Sequence, residues 1–273
     1  MIAVKKEKLA QVCRGVAEIY ITQRIPQAAA ALSYFLTLTF FPMLICLYTM
    51  LGSLFPATEE VRGILGAFLP AKTVETILEY LRYVSENLNT PMLVMALTVL
   101  LTSSSAAFRA IDREIAEMRG GGRFTGLFAL IFSFFFSLIL LAVIYFSVLL
   151  IVTGKWFLEF ADRYIMFMNI SDSWSWWRFV LLFLLLFTLI SSIYRITAPR
   201  RGHIVLLPGT VFASAALVGV SIAFSAIIGA GAKYPTVYGS LASVIVMMLW
   251  LYTCGATLFL GAALNVSVER LRR

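Results

Sequence analysis

The chain has 273 residues, of which 61% are hydrophobic and 13% are charged, and its formal net charge is +8. Together with a mean hydropathy of +0.92, this composition predicts an integral membrane protein. The positive charge does not require a nucleic-acid partner, because the basic residues lie in short connections and no soluble domain of useful size is predicted.

Long stretches without Asp, Glu, Lys or Arg divide the chain, and a shorter one lies between Arg178 and Arg195. A helix needs about 20 apolar residues to cross a bilayer core of ~30 Å. We therefore predict an all-α, polytopic membrane protein with six transmembrane helices plus amphipathic interfacial helices. It forms a single membrane domain, 1–273, with a cytoplasmic amphipathic segment at 1–25. The predicted spans lie near 27–55, 89–108, 124–153, 177–195, 203–229 and 237–266.

The connections between these spans alternate between basic-rich and basic-poor. The N-terminal segment, the connections after spans two and four and the C-terminal end hold 15 of the 22 Lys and Arg residues. The positive-inside rule therefore places both termini in the cytoplasm. An even number of spans predicts the same arrangement.

Segments outside the spans also have helical periodicity. The N-terminal segment has an apolar stripe that predicts a helix on the inner leaflet, ending at Pro26. Its members are Leu9, Val12, Cys13, Val16, Ile19 and Tyr20. In the first outer connection, 61–69 and 74–84 predict two amphipathic helices, which either cap a central cavity or rest on headgroups. A third surface helix is predicted in 155–177.

Polar side chains are concentrated in the cytoplasmic half of the predicted spans. Our hypothesis is a cavity that opens to the cytoplasm, lined by hydroxyls, with Arg109 and Arg195 at its mouth. The hypothetical substrate pathway consists of Tyr34, Thr37, Thr102, Ser105, Arg109, Ser191, Arg195, Arg200, Tyr252 and Asn265. The alternative is packing alone, since Ser and Thr in membrane helices often bond to the carbonyl four residues earlier.

Patterns typical of enzymes are missing from the sequence. It has one histidine, His203, and no HxE, CxxC, P-loop or GxSxG pattern. We therefore predict no catalytic residue, no cofactor and no metal site, and that the protein is not an enzyme. The three cysteines are predicted to be unpaired thiols. The acids and arginines of 109–119 predict a solvated, ion-paired helix.

Several short motifs, in order along nearly the whole chain, resemble those of the YihY/BrkB family of inner-membrane proteins. They are Pro26–Phe35, Phe41-Pro42, Leu207–Thr210, Tyr238–Ser240, Leu249–Tyr252 and Gly261–Asn265. The resemblance implies a bacterial inner (plasma) membrane protein of six helices and a link to envelope integrity, serum resistance and movement of lipid or lipopolysaccharide precursors. Family members are often labelled ribonuclease BN. The family pattern usually has Glu in the place of Ala263.

Our leading hypothesis is an inner-membrane transporter or flippase-like protein for a lipid or other amphiphile. The expected partners are membrane lipids, such as an anionic phospholipid or a lipopolysaccharide precursor, whose headgroup meets Arg109, Arg195 and Arg200. No nucleic-acid partner is expected. The alternative is a non-transporting membrane scaffold for envelope integrity. A membrane-bound ribonuclease ranks last, because the chemistry for it is missing from the sequence.

Overall fold

The computed structural model describes residues 2–51, 62, 71–87, 89–121, 131–135, 174–198, 205–230 and 241–271. Over this part of the chain, every regular element is helical, which confirms the all-α class. The helices are α1 (Ile2–Thr22), α2 (Ile25–Leu51), α3 (Ala71–Asn87), α4 (Thr90–Arg119), α5 (Trp174–Ile196), α6 (Leu207–Ala230) and α7 (Leu241–Arg270). A short helical stretch, 131–135, lies within the predicted third span.

Four segments of the described helices are long and apolar enough to cross a membrane: Ile25–Cys46, Thr90–Arg119, Leu207–Phe224 and Val244–Arg270. A shorter apolar stretch, Phe183–Ile196, lies in α5. The chain is thus a multi-pass membrane protein. Apart from the short stretch noted above, the predicted span 124–153 lies outside the described residues. So do the surface helices predicted in 61–69 and 155–177, except for residue 62 and the first turn of α5.

The Arg-rich ends of the helices meet at one end of the bundle, which we call the basic end. Arg119, the last residue of α4, lies 3.5 Å from Glu269 near the end of α7. The side chain of Arg270 donates to the Met118 carbonyl over 3.4 Å. The start of α6 reaches the same place, since Gly209 contacts Asn265 of α7. The described residues of the basic connections therefore lie at one end of the bundle.

Helix α4 continues well beyond the predicted end of span two at 108. Its 30 residues extend about 45 Å at 1.5 Å per residue, longer than a hydrocarbon core of ~30 Å. The Asn89 side chain caps its N-terminus by accepting from Met92 N, and Gly120 ends it at φ 77°. Glycine suits this left-handed position because it has no Cβ. The helix predicted over 109–119 is thus continuous with the span.

Helix α1 packs on the bundle with part of its predicted apolar stripe. Ile19 is buried in the principal core and Val16 packs against it. Ser267 Oγ donates to the Val12 carbonyl over 3.0 Å. Cys13 and Tyr20 remain exposed. Part of the stripe therefore packs on α7 and the core, while other members of it stay exposed.

Helix α3 packs its apolar face against the protein. Ile77 and Leu81 are buried with Leu44 of α2, and Trp250 of α7 packs on the same cluster. Val84 is fully buried in an adjoining cluster with residues of α2 and α4. Helix α3 therefore packs on the parts of α2, α4 and α7 that lie away from the basic end.

Candidate functional site

Two of the predicted pathway hydroxyls, those of Thr37 and Thr102, bond to backbone carbonyls of their own helices. Thr37 Oγ1 donates to the Ser33 carbonyl and Thr102 Oγ1 to the Thr98 carbonyl, each over 2.8 Å. The same pattern occurs at Thr188, Ser192, Thr210 and Thr257. These bonds match the packing alternative, because a hydroxyl satisfied within its own helix does not need a ligand.

The predicted pathway residues lie in different environments. Tyr34, Thr102 and Arg195 are exposed, whereas Asn265 is completely buried. The others described are half-buried, apart from Ser105 with 4% exposure: they are Thr37, Arg109, Ser191 and Tyr252. Arg200 lies outside the described residues. The structure brings Ser105 and Arg109 into direct contact. Thr37, Thr102 and Asn265 instead form hydrogen bonds with backbone groups outside the predicted pathway.

Arg109 forms a small polar cluster with two buried hydroxyls. Its Nη1 donates to Ser105 Oγ over 2.6 Å and to Ser133 Oγ over 3.2 Å. The two hydroxyls lie 2.7 Å from each other. A long side chain in a helix leans toward the N-terminus, which brings the guanidinium of Arg109 back to the residue one turn earlier. We call Ser105, Arg109 and Ser133 the Arg109 cluster.

The Arg109 cluster lies inside the bundle. Arg109 precedes the last residue of α4, Arg119, by about 15 Å along the helix axis. Phe108 is buried beside it and faces Phe132, with ring centroids 6.0 Å apart. Both hydroxyls of the cluster are buried, and among the described residues no carboxylate forms a salt bridge with Arg109. The Arg109 guanidinium is thus held by two neutral hydroxyl acceptors, and the neighbouring residue Phe108 contacts Phe132.

Two carboxylates that were predicted to be solvated are buried. Asp112 is 8% exposed and Glu114 is 9% exposed. Within the described part of the chain, Asp112 Oδ1 and Glu114 Oε1 have no hydrogen-bond donor. The prediction of a solvated, ion-paired helix was therefore wrong for these two acids. It was right for Arg113 and Glu117, an exposed pair with a distance of 2.9 Å between nitrogen and oxygen.

Arg119 was also predicted to be solvated, but its side chain is buried. Its side chain is 4% exposed and that of Glu269 is 11% exposed, with 3.5 Å between Nη1 and Oε2. At that distance the two form an ion pair without a hydrogen bond, and Arg119 Nε and Nη1 have no acceptor among the described residues. Sequence reasoning missed the pair, because its members are far apart along the chain and each ends a different helix.

Asn265 joins α7 to the first turn of α6. Its Oδ1 accepts from the Gly209 amide over 2.7 Å, one of the N-terminal amides that has no partner within its own helix. A Cβ on Gly261 would lie 2.7 Å from the Gly209 carbonyl and 2.5 Å from the Tyr194 hydroxyl. That hydroxyl donates to the Leu258 carbonyl. The spacing of Gly261 and Asn265 by four residues was the only sequence signal of this contact.

The described residues hold no group of three or more His, Cys, Asp or Glu side chains placed to bind a metal ion. Cys13, Cys46 and Cys254 are free thiols, as predicted.

Comparison with known proteins gives a family. The family model described as Virulence factor BrkB matches residues 16–273. The chain belongs to the BrkB family. This confirms the resemblance seen in the sequence motifs. No solved structure matches the chain.

Relatives of this BrkB-family chain carry two kinds of name. The ribonuclease-like protein YfkH of Bacillus subtilis is 26% identical over 256 residues, which cover 90% of each protein. A UPF0761 membrane protein of Xanthomonas campestris pv. campestris is 27% identical over 93% of this chain, and one of Pseudomonas aeruginosa is 28% identical over 95%. The matches span 59% and 64% of those two proteins, less than two thirds of their length.

The resemblance to the BrkB family also drew attention to Ala263. In this chain Ala263, where the resemblance implies a Glu in the family, is completely buried in the principal core. An uncharged residue suits that position, since an isolated carboxylate in an apolar core is costly. Among the described residues, the buried acids are Asp112 and Glu114 on α4 and Glu269 near the end of α7.

Proposed function

We propose that this BrkB-family protein moves a phosphate-bearing lipid or other amphiphile between the leaflets of a bacterial inner membrane, with both termini in the cytoplasm. The Arg109 cluster is the observation that carries the proposal. It holds a cation in a membrane-spanning helix, with hydroxyls as its only hydrogen-bond partners among the described residues.

A charged side chain within a membrane helix is costly, and such residues usually line a substrate or ion pathway. Arginine is suited to phosphate, because its planar guanidinium donates several charge-assisted hydrogen bonds at once. Nη1 of Arg109 contacts Ser105 and Ser133, which leaves the other donors of the guanidinium without a protein acceptor among the described residues. These donors supply what a phosphate headgroup requires.

The surroundings of the cluster support an amphiphile. Large apolar side chains are exposed on the helices near it, including Val99 on α4 and Phe135 on the stretch 131–135. Such surfaces are compatible with acyl chains while a headgroup occupies the polar cluster. Arg195 is exposed near the end of α5 and provides a second cation at the basic end.

We further propose that the protein is not an enzyme. The UPF0761 relatives are named only as membrane proteins, and the ribonuclease-like name belongs to the Bacillus protein. Metal-dependent cleavage of RNA by the purified protein would contradict this part of the proposal.

The test is lipid transfer by the purified full-length protein in liposomes, measured with a fluorescent phospholipid and a quencher that reaches the outer leaflet only. We expect the protein to accelerate transfer and Arg109→Gln to lower the rate by about tenfold, the effect of one charge-assisted hydrogen bond. Arg113→Gln is the matched control, because Arg113 is an exposed arginine one turn further along α4. Transfer no faster than in protein-free liposomes would overturn the proposal.

A scaffold without transport is the second candidate, and the contacts at the basic end favour it. Helices α5, α6 and α7 are held together by contacts of Tyr194, Gly261 and Asn265. In addition, most of the described hydroxyls bond within their own helices. Capture of partner proteins from membranes would test it. If Arg113→Ala, which changes an exposed position on α4, releases a partner while lipid transfer is absent, the scaffold is the better explanation.

A further inference from the structure

We infer that the headgroup bound at the Arg109 cluster is zwitterionic, with its phosphate on Arg109 and a primary amine on Asp112. This inference rests on the proposed function and specifies its substrate class. It follows from the shared face of α4, from the burial of Asp112 and from the separation of the two charges along the helix.

The relevant residues share one face of α4. At 100° per residue, Ser105, Phe108, Arg109 and Asp112 fall within an arc of about 100°. Ser105 contacts Ser133 and Phe108 contacts Phe132. This face is therefore turned toward the stretch 131–135, and Asp112 lies on it one turn closer to the basic end than Arg109.

The two charges are arranged for a ligand that carries both signs. The guanidinium of Arg109 is turned back toward Ser105, away from Asp112, and no ion pair between Arg109 and Asp112 is formed. Asp112 Oδ1 is buried with no donor within the described residues. A buried carboxylate oxygen of this kind requires a hydrogen-bond donor.

A phosphoethanolamine headgroup meets both requirements at once. Its phosphate oxygens accept from the guanidinium, and its ammonium donates to the carboxylate. The short ethylene linker keeps both charges of the headgroup along one helix face, on which the backbone positions of Arg109 and Asp112 are separated by about 4.5 Å of helical rise. A headgroup with only a phosphate would leave Asp112 without a donor and would also place a negative charge near its carboxylate.

Glu114 provides a matched control. It is as buried as Asp112, and its Oε1 also has no donor among the described residues. However, it lies two residues further along α4, about 200° around the helix axis. A headgroup held by Arg109 therefore reaches Asp112 and does not reach Glu114.

The experiment measures lipid affinity of the purified, delipidated full-length protein by native mass spectrometry. The probes are phosphatidylethanolamine, phosphatidylcholine and phosphatidylglycerol with the same acyl chains. We expect the wild-type protein to prefer phosphatidylethanolamine by about tenfold over both others. The trimethylated amine of phosphatidylcholine has no hydrogen to donate, and the glycerol hydroxyls of phosphatidylglycerol carry no positive charge to pair with the carboxylate. No preference for phosphatidylethanolamine would overturn the inference, whatever the variants do.

The variants separate the roles of the two residues. Asp112→Asn should lower the affinity for phosphatidylethanolamine about tenfold without weakening the binding of phosphatidylglycerol. Asp112→Glu should keep most of the wild-type affinity for phosphatidylethanolamine. Glu114→Gln should change the affinity for neither lipid. Equal weakening of both lipids by Asp112→Asn would overturn the inference. Arg109→Gln should weaken both lipids. If it weakens neither, the lipid site of the proposed function itself is wrong. Size-exclusion elution and helical circular dichroism establish that each variant is folded.

Discussion

The Oδ1 atom of Asn265 accepts a hydrogen bond of 2.7 Å from the backbone amide of Gly209, and both residues are completely or almost completely buried. The bond caps the first turn of α6 from a different helix. Because an unpaired backbone amide in the membrane interior is costly, this contact fixes both the depth and the rotation of α6 against α7.

Asn265→Leu should destabilise the protein, because it leaves the Gly209 amide buried without an acceptor while keeping a side chain that branches at Cγ. The expected loss is about 1–3 kcal/mol, read as a lower thermal unfolding midpoint by intrinsic tryptophan fluorescence in detergent. Thr257→Val is the control on the same helix, since the Thr257 hydroxyl donates only to the Thr253 carbonyl of its own helix. Equal midpoints for the two variants would show that the contact contributes little.

Gly209→Ala should be more damaging. The added Cβ would overlap the Gly261 carbonyl oxygen, and a helix backbone cannot move aside without separating α6 from α7. We expect a loss of about 3 kcal/mol or more and little monodisperse protein on size-exclusion chromatography. Gly219→Ala, on the same helix, places its Cβ in open space and should be neutral or slightly stabilising. A normal yield of Gly209→Ala would contradict the close approach of the two helices.

The Arg119–Glu269 pair should be more strongly coupled than the shorter Arg113–Glu117 pair. The first pair is buried at 3.5 Å, while the second is exposed at 2.9 Å. Loss of one partner from a buried pair leaves an uncompensated charge, which costs about 3–5 kcal/mol, whereas water screens an exposed pair. Double-mutant cycles of thermal stability, with Arg→Met and Glu→Gln at each pair, measure both couplings. A larger coupling for the exposed pair would refute this ranking.

Ile77→Ala should loosen α3 from the bundle. Ile77 is 1% exposed in the cluster shared with α2, and removal of its side chain costs about 2–4 kcal/mol. We expect faster hydrogen exchange of the α3 amides with unchanged exchange in α7. Tyr83→Ala, at an exposed position of the same helix, should leave the exchange of α3 as it is. Slow exchange in both variants would mean that α3 is held by other contacts.

Much of the helix layout could be predicted from the sequence. An uncharged run of sufficient length must be helical in a bilayer, since no water is present to satisfy its backbone groups. The starts of α2, α4, α6 and α7 accordingly lie within a few residues of the predicted spans. The continuity of α4 up to Arg119 was harder to predict. The charged residues of its last turns favour a helix, but they end the apolar stretch by which a span is recognised.

The candidate site could be predicted only in part. Ser105 in the predicted span 89–108 and Arg109 just beyond its end were both predicted as pathway residues. The burial of Asp112 and Glu114 was not predicted, because charge spacing along a helix does not reveal what packs against it. Arg113 and Asp112 are adjacent in sequence, yet one is exposed and the other buried.

The sequence by itself determined the membrane class, the positions of most helices and the end of the bundle at which the arginines gather, because these depend on local hydropathy and charge. Only the tertiary structure decided which side chains meet. It joined Asn265 to Gly209, Arg119 to Glu269 and Arg109 to Ser133. The physical reason is that membrane helices are apolar on all sides, so hydrophobicity does not fix their rotation, which close packing and a few buried polar contacts decide.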